Sequence, residues 1–120
     1  MMYENIVEKS AIAVDVDGVL TDFRGCRRCR HEDLETRNYL LCPIRRDVAA
    51  ALRKLKTKYR IILHTARGED KRIVTQRWLE MHDIPYDELV LDKPYAMYYI
   101  DDRAIRFKDW GETLSLLGCD

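Results

Sequence analysis

Short unbroken apolar runs alternate along this chain with longer stretches of helical spacing. Ala11-Ile12-Ala13-Val14 is the first run, of the kind expected for a strand covered on both faces, and it ends in Asp15 and Asp17. Pro43 suits the first turn of a helix, and Ile44, Val48, Ala51, Leu52 and Leu55 predict an amphipathic helix over residues 44–57. Tyr59 to Leu63 reads as a second buried strand ending at His64 and Thr65. Gly68 and Glu69 open a helix in which Ile73, Arg77 and Met81 share a face, with Val74 and Trp78 nearby. Asp83-Ile84-Pro85 closes it, because proline disfavours helical geometry in the residue before it. A third strand is expected at Glu88 to Leu91, ending near Asp92 and Lys93, and a fourth at Ala96 to Ile100, ending at Asp101 and Asp102. Tyr95, Tyr98 and Tyr99 are read as packing on that fourth strand. A last helix over residues 109–117 directs Trp110, Leu114 and Leu117 inward, and both Trp78 and Trp110 are read as core. Strands alternating with helices imply parallel β-α-β units in a three-layer α/β domain.

The chain has 120 residues, which suits one compact domain over residues 1–120. Lysines plus arginines equal aspartates plus glutamates at 21 each, so the basic excess of a non-specific nucleic-acid or membrane binder is missing. No run reaches the apolar length of a membrane span, and the first ten residues lack the basic-then-apolar pattern of a secretory leader. A cytoplasmic domain is therefore expected, with its four cysteines as reduced thiols or metal ligands.

In open parallel sheets, ligands bind outside the carboxyl ends of the strands. The polar clusters fall at those ends: Asp15 and Asp17, Thr65, Lys93, then Asp101 and Asp102. Close carboxylates repel one another, and Mg²⁺ relieves this while binding waters and phosphate oxygens. The lysine and threonine point to an anionic ligand besides, most simply a phosphoryl group. One carboxylate can attack phosphorus to form an aspartyl-phosphate, while a second protonates the leaving oxygen and later activates water.

Asp15-Val16-Asp17-Gly18-Val19-Leu20-Thr21 resembles the first signature of the haloacid dehalogenase superfamily, and three further segments resemble the others in order. These are His64-Thr65-Ala66-Arg67, Lys93, and Ile100-Asp101-Asp102-Arg103. The resemblance implies a Rossmann-like fold and Mg²⁺-dependent phosphatase activity, with Asp15 as nucleophile and Asp17 as general acid/base. It assigns Thr65 and Lys93 to the phosphoryl oxygens; Arg67 is read either as a further substrate contact or as the start of the following helix. Asp15, Asp17, Asp101 and Asp102 are the implied metal ligands, Asp17 through its carbonyl. There is no room for a cap domain, the usual source of specificity in larger relatives. The segments Thr65 to Glu69 and Tyr99 to Ile105 are similar to a small capless branch that includes proteins of surface-sugar biosynthesis. Polynucleotide kinase–phosphatases share a similar Asp-Asp-Arg region. A sugar phosphate is the preferred small substrate, with a polynucleotide 3′-phosphate as the alternative that neutral net charge disfavours.

Residues 23–43 are too long for an ordinary connection and are expected to form a flap over the site, where Arg24, Arg27 and Arg28 can attract an anion. Cys26, Cys29, His31 and Cys42 are zinc-ligand types, and Cys26-Arg-Arg-Cys29 matches a half-site, but no matching second half follows. His64 is read as structural, and Arg103 as an ion partner of the acidic pair. Two other classes stay open. A receiver-type signalling module uses the same residue types in a different order, and a non-catalytic phosphate-binding protein could keep this fold.

Overall fold

The computed structural model describes residues 9–22 and 39–120. The anionic-capture arginines Arg24, Arg27 and Arg28, and the ligand types Cys26, Cys29 and His31, lie outside the described residues, as does most of the expected flap.

Among the described residues three parallel strands form the sheet in the order β1-β2-β3: β1 is Ala11–Asp15, β2 Arg60–His64 and β3 Glu88–Val90. Ala11 pairs with Arg60 and Asp15 with His64, while Ile62 pairs with Glu88 and His64 with Val90. This register aligns the carboxyl ends of all three strands. Helix α1 (Val48–Lys56) connects the first two strands, and α2 (Arg72–Met81) connects the second and third. Helix α3 (Trp110–Leu116) follows a long irregular segment after β3. Among the described residues no helix is long and apolar enough to cross a membrane.

Helix α1 follows from its pattern, since Val48, Ala51, Leu52 and Leu55 stand at helical spacing and all are buried. Val48, Leu52 and Leu55 each contribute roughly 1.5–3 kcal/mol by leaving water, and the single methyl of Ala51 less. The core continues through Ile61 and Leu63 of β2, Trp78 and Leu79 of α2, Leu89 of β3, and Trp110 and Leu114 of α3. Asp109 caps α3, its carboxylate accepting from the Glu112 amide at 2.8 Å.

Four expectations need correction. Residues 43–45 do not start a helix. Pro43 accepts from the Asp22 amide and Arg45 donates to the Leu20 carbonyl, each at 2.8 Å, so this segment pairs antiparallel with residues 20–22. The buried face of α2 is Thr75, Trp78 and Leu79, whereas Ile73 and Met81 point outward. Trp78 dominates that choice because its ring fills the largest buried volume and its indole N–H donates to the Cys42 carbonyl at 2.8 Å. Residues 96–100 form no strand, and Tyr95, Met97, Tyr98, Tyr99 and Ile100 are exposed there, with no ladder to hold them extended. Finally, the described residues do not cover β1 on both faces. Among the described residues it pairs only with β2, Val14 is buried, and Ala11 and Ala13 are exposed. The parallel α/β sheet stands, but the third layer expected over this face of β1 is not formed by the described residues.

Candidate active site at the carboxyl ends of the strands

β1 ends at Asp15, and the chain then folds back on itself. The Val16 carbonyl accepts from the amides of Leu20 at 2.9 Å and Thr21 at 3.1 Å. This turn requires Gly18, whose φ of 88° is costly for a residue with a Cβ. The Gly18 amide donates to the Thr21 hydroxyl at 3.1 Å, and Arg45 Nε donates to the Gly18 carbonyl at 2.9 Å. The indole of Trp110 donates to the Val19 carbonyl at 3.2 Å, so α3 also supports this loop.

The ends of β2 and β3 are laced together. The Thr65 amide donates to the Val90 carbonyl at 3.0 Å, the Lys93 amide to the Thr65 carbonyl at 2.9 Å, and the Asp92 amide to the Arg67 carbonyl at 2.8 Å. Asp92 adopts a φ of 59°, a turn conformation that aspartate tolerates better than most residues, and this sets Lys93 facing β1. Lys93 Nζ lies 3.9 Å from Asp15 Oδ2 and 4.2 Å from the centre of the Tyr99 ring.

Asp17 is gripped from the other side. Arg67 meets its carboxylate with two donors, Nη2 to Oδ1 at 2.6 Å and Nε to Oδ2 at 3.1 Å. The Thr65 hydroxyl adds a third, donating to Oδ2 at 3.0 Å, and itself accepts from the Arg67 amide at 3.2 Å. Thr65 is fully buried, and only 2% of the Arg67 side chain is exposed.

Two pKa shifts follow from these surroundings. Burial is the main cause that pushes Asp15 above the ordinary carboxylate range, and the charge of Asp17 adds to it; Lys93 and the Val16 amide pull the other way. A carboxylate with a raised pKa is a stronger base and nucleophile when ionised. His64 is held below its ordinary value, first by burial and then by the Lys93 charge, which favours the neutral imidazole.

The structure therefore brings together Asp15, Asp17, Thr65, Arg67 and Lys93. Asp101 and Asp102 are not joined to them. Both are exposed in the irregular segment, where they line an open depression with Ile100 and Arg103. Asp101 Oδ1 accepts from the Arg103 amide at 2.8 Å, and Asp102 pairs with the Arg103 guanidinium at 3.8 Å. The cause is the missing fourth strand, which was the element expected to deliver them. Among the described residues no three His, Cys, Asp or Glu side chains form a metal-holding group, and the Asp17 carboxylate is held by Arg67 and Thr65. Cys42, the zinc-ligand type within the described residues, is buried in the core.

Sequence reasoning missed three supporting residues. Thr75 accepts from Arg67 Nη1 at 3.0 Å, the Tyr39 ring lies 3.8 Å from the Arg67 guanidinium carbon, and Arg45 braces the Gly18 turn. Thr75 alone carried a signal, since it precedes Trp78 and Leu79 by helical spacing.

No protein-family profile matches the chain, and no curated protein is similar to it. Solved structures are. A crystal structure of an MCSG target from Vibrio cholerae is 28% identical with a TM-score of 0.59, the match covering 81% of this chain and 83% of that one. A chain from the Pnkp1/Rnl/Hen1 complex is 24% identical with a TM-score of 0.58 over 91% of this chain, a likeness of fold. A chain from the Pnkp1/Rnl/Hen1 RNA repair complex is 26% identical with a TM-score of 0.57 over 92% of this chain. This chain spans about a third of the length of those two, 34% and 32%. The parallel α/β architecture is thus shared with solved proteins, among them a chain of an RNA repair complex.

Proposed function

We propose that this protein is a phosphatase of the haloacid dehalogenase type, hydrolysing a phosphomonoester through an aspartyl-phosphate on Asp15. The observation that carries the reading is the pairing of Asp15 with Lys93 at 3.9 Å on the strand-end rim, with Thr65 and Asp17 beside them. In the first half-reaction Asp15 attacks phosphorus, and the ester oxygen leaves with a proton that Asp17 relays to it from solvent water. Water then attacks the aspartyl-phosphate as Asp17 takes a proton from that water, releasing inorganic phosphate and restoring Asp15. Lys93 offsets charge on the phosphoryl oxygens. Each of these roles is filled by this chain's own side chains.

The substrate is proposed as a small phosphomonoester, with a sugar phosphate preferred. A phosphorylated oligonucleotide end is the second reading, favoured by the fold shared with a chain of an RNA repair complex. The test is phosphate release from an aryl phosphate, sugar phosphates, nucleotides and a 3′-phosphorylated oligonucleotide, each with and without Mg²⁺. Release that disappears in Asp15→Asn supports the nucleophile, and the best substrate separates the two readings. A folded protein that releases phosphate from none of them refutes the phosphatase reading and leaves a phosphate-binding role.

A further inference from the structure

Arg67 enters the sequence reading as a substrate contact, yet its surroundings leave it little to offer a substrate. Nε and Nη2 are committed to Asp17, and Nη1 donates to Thr75 at 3.0 Å. One face of the guanidinium is stacked on Tyr39, and the residue is 6% exposed. We infer that Arg67 is a positioning residue: it fixes the carboxylate of Asp17 in one orientation and does not touch the phosphoryl group. The inference rests on the phosphatase reading for its kinetic consequence, though the clamp itself is independent of it.

The chemistry of the two side chains argues the same way. A planar guanidinium matches both oxygens of a carboxylate at once, which an ammonium cannot do. Thr65 then supplies a third donor to Oδ2, so rotation of the Asp17 carboxylate breaks at least one bond. Thr75 and Tyr39 hold the guanidinium in turn, and they come from α2 and from the 3₁₀ turn at Tyr39–Leu41. The proton-transfer group of the proposed reaction is thereby oriented before substrate arrives. A misplacement of about 1 Å in such a group can cost on the order of 100-fold in rate.

Steady-state kinetics of Arg67→Lys on the best phosphoester read this directly. The expected result is a kcat lowered by about 100-fold with KM little changed. A large rise in KM with kcat retained overturns the inference, because it marks a lost substrate contact. Thr75→Val removes only the hydroxyl that holds Nη1, and it keeps the question open to measurement if Arg67→Lys misfolds. Its kcat is expected to fall with KM constant, and an unchanged kcat counts against the inference. The Nε–H resonance of Arg67 supplies a readout free of turnover. It is expected to be protected from solvent exchange and to shift in Asp17→Asn; a resonance that is unprotected and indifferent to Asp17 overturns the clamp. If the wild type shows no phosphatase activity, the phosphatase reading fails while the resonance still decides the clamp.

Discussion

Replacing Trp78 with phenylalanine tests how the core supports the site. Trp78 is fully buried on α2, and its indole donates to the Cys42 carbonyl at 2.8 Å, which secures the segment following the turn at Tyr39–Leu41. That turn carries the Tyr39 ring beneath Arg67. Trp78→Phe removes the donor, worth about 1 kcal/mol net. It also removes ring atoms equivalent to about two methylenes, at roughly 0.8 kcal/mol each. The sum is about 2–3 kcal/mol, a large share of the roughly 5–15 kcal/mol that holds a domain folded. For a chain of this size the melting temperature should fall by about 10 °C. Circular dichroism through a thermal melt and a urea titration measures both quantities, and Trp110 fluorescence follows the remaining indole. A melting temperature within about 3 °C of the wild type refutes the reasoning, since a buried, hydrogen-bonded indole cannot be truncated at no cost.

Two predictions concern pH. Burial raises the folded-state pKa of Asp15, so its contribution to stability is present below the unfolded value and is lost as pH rises through the folded value. Asp15→Asn should therefore raise the urea midpoint at pH 7, with the gain shrinking toward pH 3, and equal midpoints at pH 7 refute it. Asp87 has the opposite sign, lowered first by the Ile61 amide at 2.7 Å and then by Lys56 at 3.0 Å. Its contribution is present above the unfolded pKa and lost as pH falls through the folded value. Asp87→Asn should cost about 1 kcal/mol at pH 7, mostly through the weakened bond to Ile61, because the half-exposed Lys56 pair adds little. Urea titrations at pH 7 and pH 2.5 check this, and an undiminished difference at the lower pH contradicts it.

The strand periodicity placed Asp15, Thr65 and Lys93 at carboxyl ends, and the parallel sheet brings those ends to one rim. This much is local, because a short apolar run bounded by polar residues marks where a buried strand stops. The spacing of Val48, Ala51, Leu52 and Leu55 marked the inner face of α1 for the same reason. Other features required the tertiary structure. Ile73, Arg77 and Met81 share one face of α2, and the seat of Trp78 against Cys42 turns that face outward. The run Ala96 to Ile100 is as apolar as β1, but a strand exists only when a neighbour satisfies its backbone, and these residues stand exposed without a ladder. Arg67 is the clearest case. Its sequence neighbours suggested a residue facing substrate, whereas its partner lies 50 positions away in the chain. A buried guanidinium must find an anion, and where that anion stands is a property of the fold and not of any local pattern.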